Sequence, residues 1–545
     1  MKKLVSLVLA VMLFATAFAM ADEAAFIAYE EPTALSVLSI DRVMTVSEIS
    51  YDETDPRRID ANHNIWIDAY KNFLNLDVTR IIAEDDTAVG AQVNTRMASN
   101  DLPDVIVVDK ALFYSLVEND ALVDMKPYWE DYKEEAKQPL LDTYTDAILE
   151  AGMLNGCLYG LASNVNAYNS AKVLWVRQDW LNKVDMEVPQ TWDDLLTVAD
   201  AFINAELGGD YTIGIGFNDL NDGVLAAFDV ALNTWTEQED GSYIYANTSD
   251  KMREGLLAMQ EAYNAGLFNK DFAVSGGIGE EVANGHCGLV YGEGWVGSTD
   301  VNNSYVNDNS AEWIAIPVPT VTGERYKQWG NNTVDSFVVV TKNCEHPEAV
   351  LKMLDLELYL CFGTNDLETI QTYYAYDYNG QSVPVWNLRA FRDVSYTDMY
   401  DLMVAHACRE SVEAGYTLDD PDKVPAWAWS WFLAAYPARP NLTEEERIGM
   451  IQSGWYGFGN GTCWQSYKVL EELNNEGWLI GEYPGPRSET MNVYWKSIDE
   501  ALNAAALEVI MGADISVYDE AIAAWYVGGG QTITDEVTAY YQANK

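Results

Sequence analysis

The chain has 545 residues and carries 32 Lys and Arg against 85 Asp and Glu, a formal net charge of −53. Nucleic acids and anionic membrane surfaces would repel so negative a chain, so neither is expected as a partner. Its four histidines are scattered, and no H-x-x-x-H or C-x-x-C spacing occurs, which argues against a metal site built from His and Cys. The six cysteines are expected to be free, buried thiols, although the sequence leaves disulfide pairing open.

The N-terminus has the features of a secretory signal peptide over residues 1–21. Two lysines precede an apolar run at 4–18, and an A-x-A cleavage site follows at 19–21. The segment is short and wrongly flanked for a lasting membrane anchor, although an uncleaved anchor is the alternative. No later stretch approaches the roughly 18 apolar residues that a membrane-spanning helix needs. We therefore expect an exported chain whose residues 22–34 form an acidic linker.

Length and hydrophobic pattern predict more than one α/β domain. A chain of this size exceeds what one hydrophobic core supports, so two or more domains are expected. Apolar strands alternate with helices over the first half, which is the pattern of the α/β class. Strands are predicted at 34–46, 77–82 and 102–108, with helices between them through Trp66 and over 88–98. The run at 102–108 is continuously apolar, as in a strand buried in a parallel sheet.

Local signals predict further helices along the chain. Thr191 stands three residues before Asp194, which is the arrangement of a capping box, and apolar residues then recur at helical spacing. A second apolar stripe runs over 252–263 and ends at Gly266, a residue type common at helix C-termini. Pro347 fits the first turn of another helix.

Several segments resemble extracellular solute-binding proteins of ABC importers, of the large sugar-binding type. Residues 156–195 follow that family's order of Y-G-x-P, a crossing, R-x-D-W-L and P-x-T-W-D-E-L, and residues 102–105 repeat its L-P-D-V. Residues 285–295 match G-x-x-G-x-x-x-G-x-x-W, and residues 506–541 match the family's C-terminal W-x-x-x-G-G segment and its flanking helices. These segments are spread over most of the chain, so chance agreement is a poor explanation.

The chain departs from that family in its cysteines and at Asp120. Gram-positive members usually carry a lipid-modified cysteine directly after the signal peptide, but the first cysteine here is Cys157. Asp120 stands where glycine is usual. The first departure leaves open how the protein would be held at a cell surface.

The resemblance implies an α/β, two-lobed periplasmic-binding-protein-like fold of type II, with discontinuous lobes joined by hinge crossings and a ligand cleft between them. The expected divisions are crossings at 164–169, 331–335 and 383–393, a first lobe of 35–164 and 334–385, and a second lobe of 165–333 and 386–545. Residues 365–480 match the family least, so the last boundary is the least defined.

Sugars present apolar C–H faces and rings of hydroxyl groups, so their sites combine aromatic platforms with charged or amide side chains. Trp295 is the strongest candidate, because it follows a strand and a glycine-rich turn, and ligands of open α/β sheets bind at strand ends. The matching aromatic of the family often stacks on sugar. Glu293 shares that turn, and Asp109 follows the buried strand. The other candidates lie on expected crossings, strand-end loops and helix starts: Asn62, Asn64, Trp66, Asn164, Asn166, Arg177, Trp329, Asp335 and Trp495. The alternative for Glu293 is a solvated loop charge, and for Asn164 and Asn166 it is a turn position. For the other candidates it is a structural role in packing, capping or ion pairing.

The resemblance predicts capture of a carbohydrate, preferably an oligosaccharide, between two closing lobes and its delivery to an ABC permease in the membrane. No enzymatic activity, cofactor or metal is expected, and the chain is expected to be a monomer. Its location would be extracellular or at the cell envelope, and periplasmic in a host with an outer membrane. A secreted glycoside hydrolase using paired carboxylates is one alternative, and a carbohydrate-binding surface protein is another. A peptide or an anionic sugar as ligand also stays open.

Overall fold

The structure is a computed structural model that describes residues 26–40, 60–135, 146–163, 170–391, 400–432, 443 and 462–543. Within these ranges it leaves out residues 210, 219, 221, 274–276, 309, 331–333, 335, 375, 379–380, 384, 427, 430–431, 482, 484 and 486–487. The predicted signal peptide and the first predicted crossing therefore lie outside the described residues.

The chain divides into two compact units, each built from several stretches of sequence. The first unit comprises Met1–Val165, Val334–Tyr400 and Tyr416–Phe432, and the second comprises Asn166–Thr333, Asp401–Gly415 and Leu433–Lys545. The sequence predicts divisions after 164, 333 and 385, whereas the units divide after 165, 333 and 400. The return of 416–432 to the first unit falls in the part of the chain that matches the family least.

The first unit contains strands and helices in alternation. Its described elements are β1 (Thr33–Ile40), α1 (Ile65–Leu74), β2 (Leu76–Ala83), α2 (Asp86–Ser99), β3 (Val105–Asp109), α3 (Lys110–Glu118), α4 (Lys126–Glu135), α5 (Asp146–Ala151), β4 (Met153–Leu154), β5 (Cys157–Leu158), β6 (Leu161–Ala162), β13 (Ser336–Val340), α12 (Ala349–Phe362), α13 (Leu367–Tyr373), β14 (Tyr376–Tyr378) and β15 (Gln381–Val383).

A five-stranded sheet in the order β2-β1-β3-β13-β6 forms the centre of the first unit. β1 pairs in parallel with β2 and β3, and β13 runs antiparallel to β3 and β6. Val37 and Leu38 of β1 and Val105 and Ile106 of β3 have no exposed surface. Successive strand residues point to opposite faces, so both faces of this sheet are covered. The prediction of a buried strand at 102–108 is confirmed.

Helix α12, the helix predicted after Pro347, is buried along almost its whole length, including charged residues that are rarely found inside proteins. Lys352 Nζ donates to the carbonyl of Ile27 at 2.6 Å. The Tyr132 hydroxyl donates to Asp355 Oδ2 at 3.2 Å, while Asp355 Oδ1 has no hydrogen-bond partner among the described residues. Burial raises the pKa of Asp355 to about 7. The helix therefore holds a carboxyl group that resists ionisation.

The second unit is also α/β. Its described elements, counting each helix with the unit that holds most of it, are β7 (Lys172–Arg177), α6 (Gln178–Val184), α7 (Trp192–Asn204), α8 (Asp222–Ala226), β8 (Trp235–Glu237), β9 (Tyr243–Tyr245), α9 (Asp250–Asn264), α10 (Gly279–Ala283), β10 (Leu289–Glu293), α11 (Asp300–Asn307), β11 (Trp313–Ile316), β12 (Gln328–Trp329), α14 (Tyr400–Glu413), α15 (Thr462–Asn475), β16 (Leu479–Ile480), α16 (Glu489–Ile510), α17 (Ser516–Trp525) and α18 (Gln531–Ala543).

The main sheet of the second unit has the order β10-β7-β11, with both neighbours antiparallel to β7. Residues 173–176 of β7 have no exposed surface. Helix α7 begins with the predicted capping box, in which the Thr191 and Asp194 side chains each bond the backbone of the other residue. Helix α9 contains the predicted apolar stripe at 252–263. Both helix predictions are confirmed.

No disulfide joins any two of the cysteines whose side chains the structure describes, namely Cys157, Cys287, Cys344, Cys361 and Cys408. Burial raises the pKa of Cys287, Cys344 and Cys361 to about 12, so these thiols stay protonated at neutral pH. In the described part of the chain, no group of three or more His, Cys, Asp or Glu is placed to hold a metal ion. No helix in that part is long and apolar enough to cross a membrane.

Candidate functional site

The strongest sequence candidate lies in a short turn after β10, in the second unit. β10 ends at Glu293, and Trp295 lies in the 3₁₀ turn Gly294–Ser298 that follows. A Cβ on Gly294 would lie 3.0 Å from the Leu470 side chain of α15, so the turn packs tightly against this helix. Close packing of the glycine holds the turn at the strand end.

Trp295 exposes 40% of its surface, whereas the neighbouring Val296 exposes 4%. A single exposed aromatic side chain is common on proteins and does not by itself indicate a site. Here the ring belongs to the turn that follows β10, and charged side chains are clustered at the end of that strand. That combination of an aromatic face with fixed polar groups is what a sugar site requires.

The charged cluster joins the ends of two paired strands and a helix start. Glu293 lies opposite Lys172 in the antiparallel register of β10 and β7. The Lys172 ammonium donates to Glu293 Oε1 and lies 3.7 Å from Asp222 Oδ1, at the start of α8. The exposed fractions of the Lys172, Glu293 and Asp222 side chains are 13%, 24% and 12%. Lys172 therefore sits between two carboxylates at the base of the turn that carries Trp295.

Electrostatics inside this cluster is dominated by negative charge. Burial raises the pKa of Asp222 to about 6; the Lys172 ammonium opposes this shift and the Glu293 carboxylate adds to it. Burial and the charge of Glu293 also raise the pKa of Asp300, at the start of α11. Burial works against the ammonium of Lys172, but the charges of Asp222 and Glu293 outweigh it and raise its pKa. Lys172 therefore stays protonated.

Lys172 also connects the cluster to another strand of the second unit. Its carbonyl accepts from Gln328 Nε2 at 2.9 Å, in β12. Trp329, the next residue, pairs with Ile480 of β16 and is half-buried. Its indole Nε1 is buried and has no hydrogen-bond partner among the described residues. Trp329 thus directly follows Gln328, the residue that bonds the Lys172 carbonyl. Its role in ligand binding stays a prediction.

Asp109 caps a helix in the first unit. It ends β3, and its Oδ1 accepts from the backbone N–H of Leu112 at 2.7 Å, which makes it the N-cap of α3. Asp109 therefore has the helix-capping role that its position before the helix also predicts. Its side chain is partly exposed, so a ligand contact stays a prediction.

The loop before α1 carries three candidates, and each has a structural role. Asn62 pairs through its side chain with the backbone of Arg80, donating at 3.1 Å and accepting at 2.7 Å. Asn64 is the N-cap of α1 and accepts from two backbone N–H groups. Trp66 has no exposed surface, and its indole N–H donates to the carbonyl of Val385 at 2.9 Å. The expectation that this loop presents these side chains to a ligand is not met for Trp66, because hydrophobic burial places its ring inside the first unit.

Arg177 is 1% exposed and engaged on every side. Its guanidinium makes two hydrogen bonds to Asp179, at 2.7 and 2.8 Å, and one to Asp308 at 2.8 Å. It also lies 4.9 Å from the ring centre of Trp180 and 5.7 Å from that of Trp313. Although burial opposes the shift, Arg177 lowers the pKa of Asp179. Ion pairing within the second unit thus occupies the Nε and Nη2 donors of the guanidinium.

Trp495 is half-buried in an aromatic cluster of the second unit. Its ring centre lies 6.2 Å from Trp235, 5.1 Å from Tyr245 and 6.3 Å from Trp525. The partners come from β8, β9 and α17, so the residue joins α16 to these elements. Packing is its evident role in the structure.

Three further candidates, Asn164, Asn166 and Asp335, lie outside the described residues. Their roles stay predictions. Of the sequence candidates, Glu293 ends β10 and Trp295 lies in the turn that follows, while Trp329 is next in sequence to Gln328, which bonds the Lys172 carbonyl.

Lys172 and Asp222 are site residues that sequence reasoning missed. A lysine before an apolar strand and an aspartate in an N-D-G turn are ordinary features of solvated loops. The register of β7 with β10 brings Lys172 to Glu293, 121 positions further along the chain, and the placement of α8 brings Asp222 to Lys172. The sequence shows only a lysine and a glutamate at the ends of two apolar strands. This pattern does not indicate that the two strands pair with each other.

A separate pocket of about 500 Å³ lies at the C-terminal end of the second unit. Residues of β9 and α18 line it together with Ser242 and Tyr526, and none of the predicted site residues is among them. The Tyr243 backbone N–H donates to Thr538 Oγ1 across its wall at 3.0 Å.

The chain is similar to known proteins over most of its length. The family model for bacterial extracellular solute-binding proteins matches residues 71–356, more than half of the chain. Lipoprotein LipO of Bacillus subtilis is 30% identical over 223 residues, which cover 38% of this chain and 43% of LipO. The polygalacturonan/rhamnogalacturonan-binding protein YtcQ of B. subtilis is 23% identical over 310 residues, 55% of this chain and 59% of YtcQ.

A third relative is the fructooligosaccharide ABC transporter substrate-binding protein FusA of Streptococcus pneumoniae, 25% identical over 199 residues, 33% of this chain and 37% of FusA. The chain therefore spans between 37% and 59% of the length of the curated relatives it matches.

Solved structures match over nearly the whole chain. The alginate-binding protein AlgQ2 is similar with a TM-score of 0.60 at 15% identity, covering 94% of this chain and 99% of AlgQ2. FusA in complex with kestose has a TM-score of 0.57 at 15% identity, covering 94% of this chain and 100% of that structure. At such identities the likeness concerns the fold, and it agrees with the α/β, two-lobed fold predicted from the sequence. The chain belongs to the bacterial extracellular solute-binding proteins.

Proposed function

We propose that the chain is the substrate-binding component of an ABC importer, which captures an oligosaccharide outside the cytoplasm and delivers it to a membrane permease. Membership of the extracellular solute-binding family supports binding rather than chemistry. The names of two relatives also support a carbohydrate, since one binds polygalacturonan and rhamnogalacturonan and the other belongs to a fructooligosaccharide transporter.

The observation that carries the proposal is that Trp295 is 40% exposed in the turn directly after Glu293, whose carboxylate Lys172 holds at the end of β10. The indole can cover the C–H face of a sugar ring while the carboxylate accepts from its hydroxyl groups. Covering about 100 Å² of apolar surface contributes about 2.5 kcal/mol at 25 cal/mol per Å². A hydrogen bond to a charged group adds about 1.5–3 kcal/mol.

Replacing Trp295 by alanine tests the proposal. Loss of about 2.5 kcal/mol should weaken oligosaccharide binding about 60-fold, as measured by calorimetric titration after a thermal-shift screen of neutral and acidic oligosaccharides. Tyr211→Ala is the matched control, because Tyr211 is 50% exposed and stacks on His286, which precedes β10 rather than following it. Binding that survives the Trp295 change, or fails equally in both variants, contradicts the site.

Turnover separates the proposal from the glycoside hydrolase alternative. A binding protein holds its oligosaccharide in a stoichiometric complex, whereas a hydrolase with two suitably spaced carboxylates releases shorter sugars continuously. Chromatography of the sugars after prolonged incubation should recover the intact oligosaccharide. Accumulation of shortened products would favour the hydrolase.

A further inference from the structure

We propose that the Lys172–Asp222–Glu293 cluster makes the Trp295 subsite selective for neutral sugars over sugars that carry carboxylates, with Glu293 as the specificity-determining residue and Lys172 as the residue that positions it. The inference rests on the proposed function and deepens it. It concerns a choice that the relatives leave open, because the name of one specifies polygalacturonan and rhamnogalacturonan and that of another fructooligosaccharides.

The first step is that Glu293 is held in place. Its carboxylate accepts from the Lys172 ammonium, and its carbonyl accepts from the Trp175 indole N–H at 3.1 Å. Lys172 is in turn held by Asp222 on one side and, through its carbonyl, by Gln328. Glu293 therefore presents a fixed acceptor rather than a mobile surface side chain.

The second step is the sign of the charge. Lys172 is one cation shared by Glu293 and Asp222, and Asp300 adds a third carboxyl group that feels the charge of Glu293. Near neutral pH the ammonium cannot balance these groups, so the cluster carries excess negative charge.

The third step is the consequence for a ligand. A neutral sugar donates its hydroxyl groups to a carboxylate and gains a charge-assisted hydrogen bond. A carboxylate on the sugar, about 6 Å from Glu293, meets a like charge instead. At an effective dielectric constant of 20–40, this repulsion weakens binding on the order of 10- to 100-fold.

The test compares matched sugars on the full chain. The probes are α-1,4-galactotriose and α-1,4-trigalacturonate, which differ only in the CH₂OH and COO⁻ groups, together with the neutral trisaccharides maltotriose and 1-kestose. We expect at least one neutral trisaccharide to bind, and trigalacturonate to bind at least about 10-fold more weakly than the best of them. A preference for trigalacturonate overturns the inference and leaves the proposed function intact. Failure of every neutral and acidic sugar, with the protein shown to be folded, overturns both.

Variants of Glu293 and Lys172 test whether the cluster causes the preference for neutral sugars. Glu293→Gln should weaken the best neutral sugar about 10-fold and should reduce the neutral-over-acidic preference by a similar factor. Lys172→Met should weaken the neutral sugar as well, and Lys172→Arg should restore it. If Lys172 acts by positioning Glu293, Lys172→Met should have little further effect once Glu293 is glutamine, which a double-mutant cycle measures.

If Lys172 had only a structural role, its variants would give a different pattern of binding constants. Lys172→Met would then weaken neutral and acidic sugars by equal factors, with or without Glu293, and thermal unfolding would show a matching loss of stability. An unchanged preference in Glu293→Gln, measured on a folded protein, overturns the inference independently of the Lys172 variants.

Discussion

Asp355→Asn should stabilise the protein at neutral pH and lose that advantage in acid. Asp355 is 1% exposed within α12, and only one of its oxygens accepts a hydrogen bond, from Tyr132. Burial raises its pKa from an ordinary 3.8 to about 7. Asparagine has nearly the same shape as the protonated carboxyl group and keeps an oxygen for the Tyr132 hydroxyl, so the variant removes the ionisation and little else.

The sign and size of the effect follow from proton linkage. Because the pKa of Asp355 is higher in the folded state, its contribution to stability is full below about pH 3.8 and is lost as pH rises through about 7. A difference of roughly 3 pKa units corresponds to roughly 4 kcal/mol, which is an upper value because the site can relax. Between about pH 4.5 and 7.5, the unfolding free energy of the variant should therefore rise by up to roughly 3 kcal/mol relative to the unchanged protein.

Urea unfolding followed by tryptophan fluorescence at several pH values measures this difference. Asp131→Asn is the control, because Asp131 is exposed on α4 next to Tyr132 and undergoes the same chemical change. Other titrating groups are common to all three proteins and cancel in the comparison. The reasoning is refuted if Asp355→Asn shifts stability by the same amount at every pH, or if the control shows the same pH dependence.

The remaining predictions concern the second unit and lobe closure. Arg177→Met should destabilise the protein by about 3 kcal/mol in urea unfolding, because it removes the two hydrogen bonds that Arg177 donates to Asp179 and the one that it donates to Asp308; a loss below about 1 kcal/mol would refute this role. Gly288→Ala should cost about 1–3 kcal/mol or more, because its Cβ would lie 2.3 Å from the buried Trp180 ring, and unchanged thermal stability would contradict this packing. A bound trisaccharide should lower the radius of gyration in X-ray scattering, since lobe closure is the expected response; an unchanged value would speak against closure.

Local chemistry made much of the fold predictable. The capping box at Thr191 and the apolar stripe at 252–263 depend on residues within a few turns of each other, so the sequence alone specifies them. The same holds for β3, where a continuous apolar run indicates burial on both faces. Strand ends were accurate to a few residues, as for the strand predicted at 77–82 and found at Leu76–Ala83.

The site was less predictable because it depends on contacts between distant residues. Trp66 and Trp295 both follow strands in the predicted order, yet one is completely buried and the other is 40% exposed. Whether an aromatic ring is buried depends on elements hundreds of residues away in the sequence. The buried Trp66, for example, donates its indole N–H to the carbonyl of Val385. Lys172 and Asp222 join Glu293 only through strand register and helix placement, which no local pattern specifies.

The position of β13 in the first sheet affects the order in which the protein can fold. β13 pairs with β3 along its whole length, although residues 166–333 of the second unit separate the two strands in sequence. A ribosome must therefore synthesise the chain to residue 340 before β3 has this neighbour, and pairing over so long a loop is slow. During the export proposed here, that delay would keep the emerging N-terminal half open enough to pass through a translocation channel before it becomes compact.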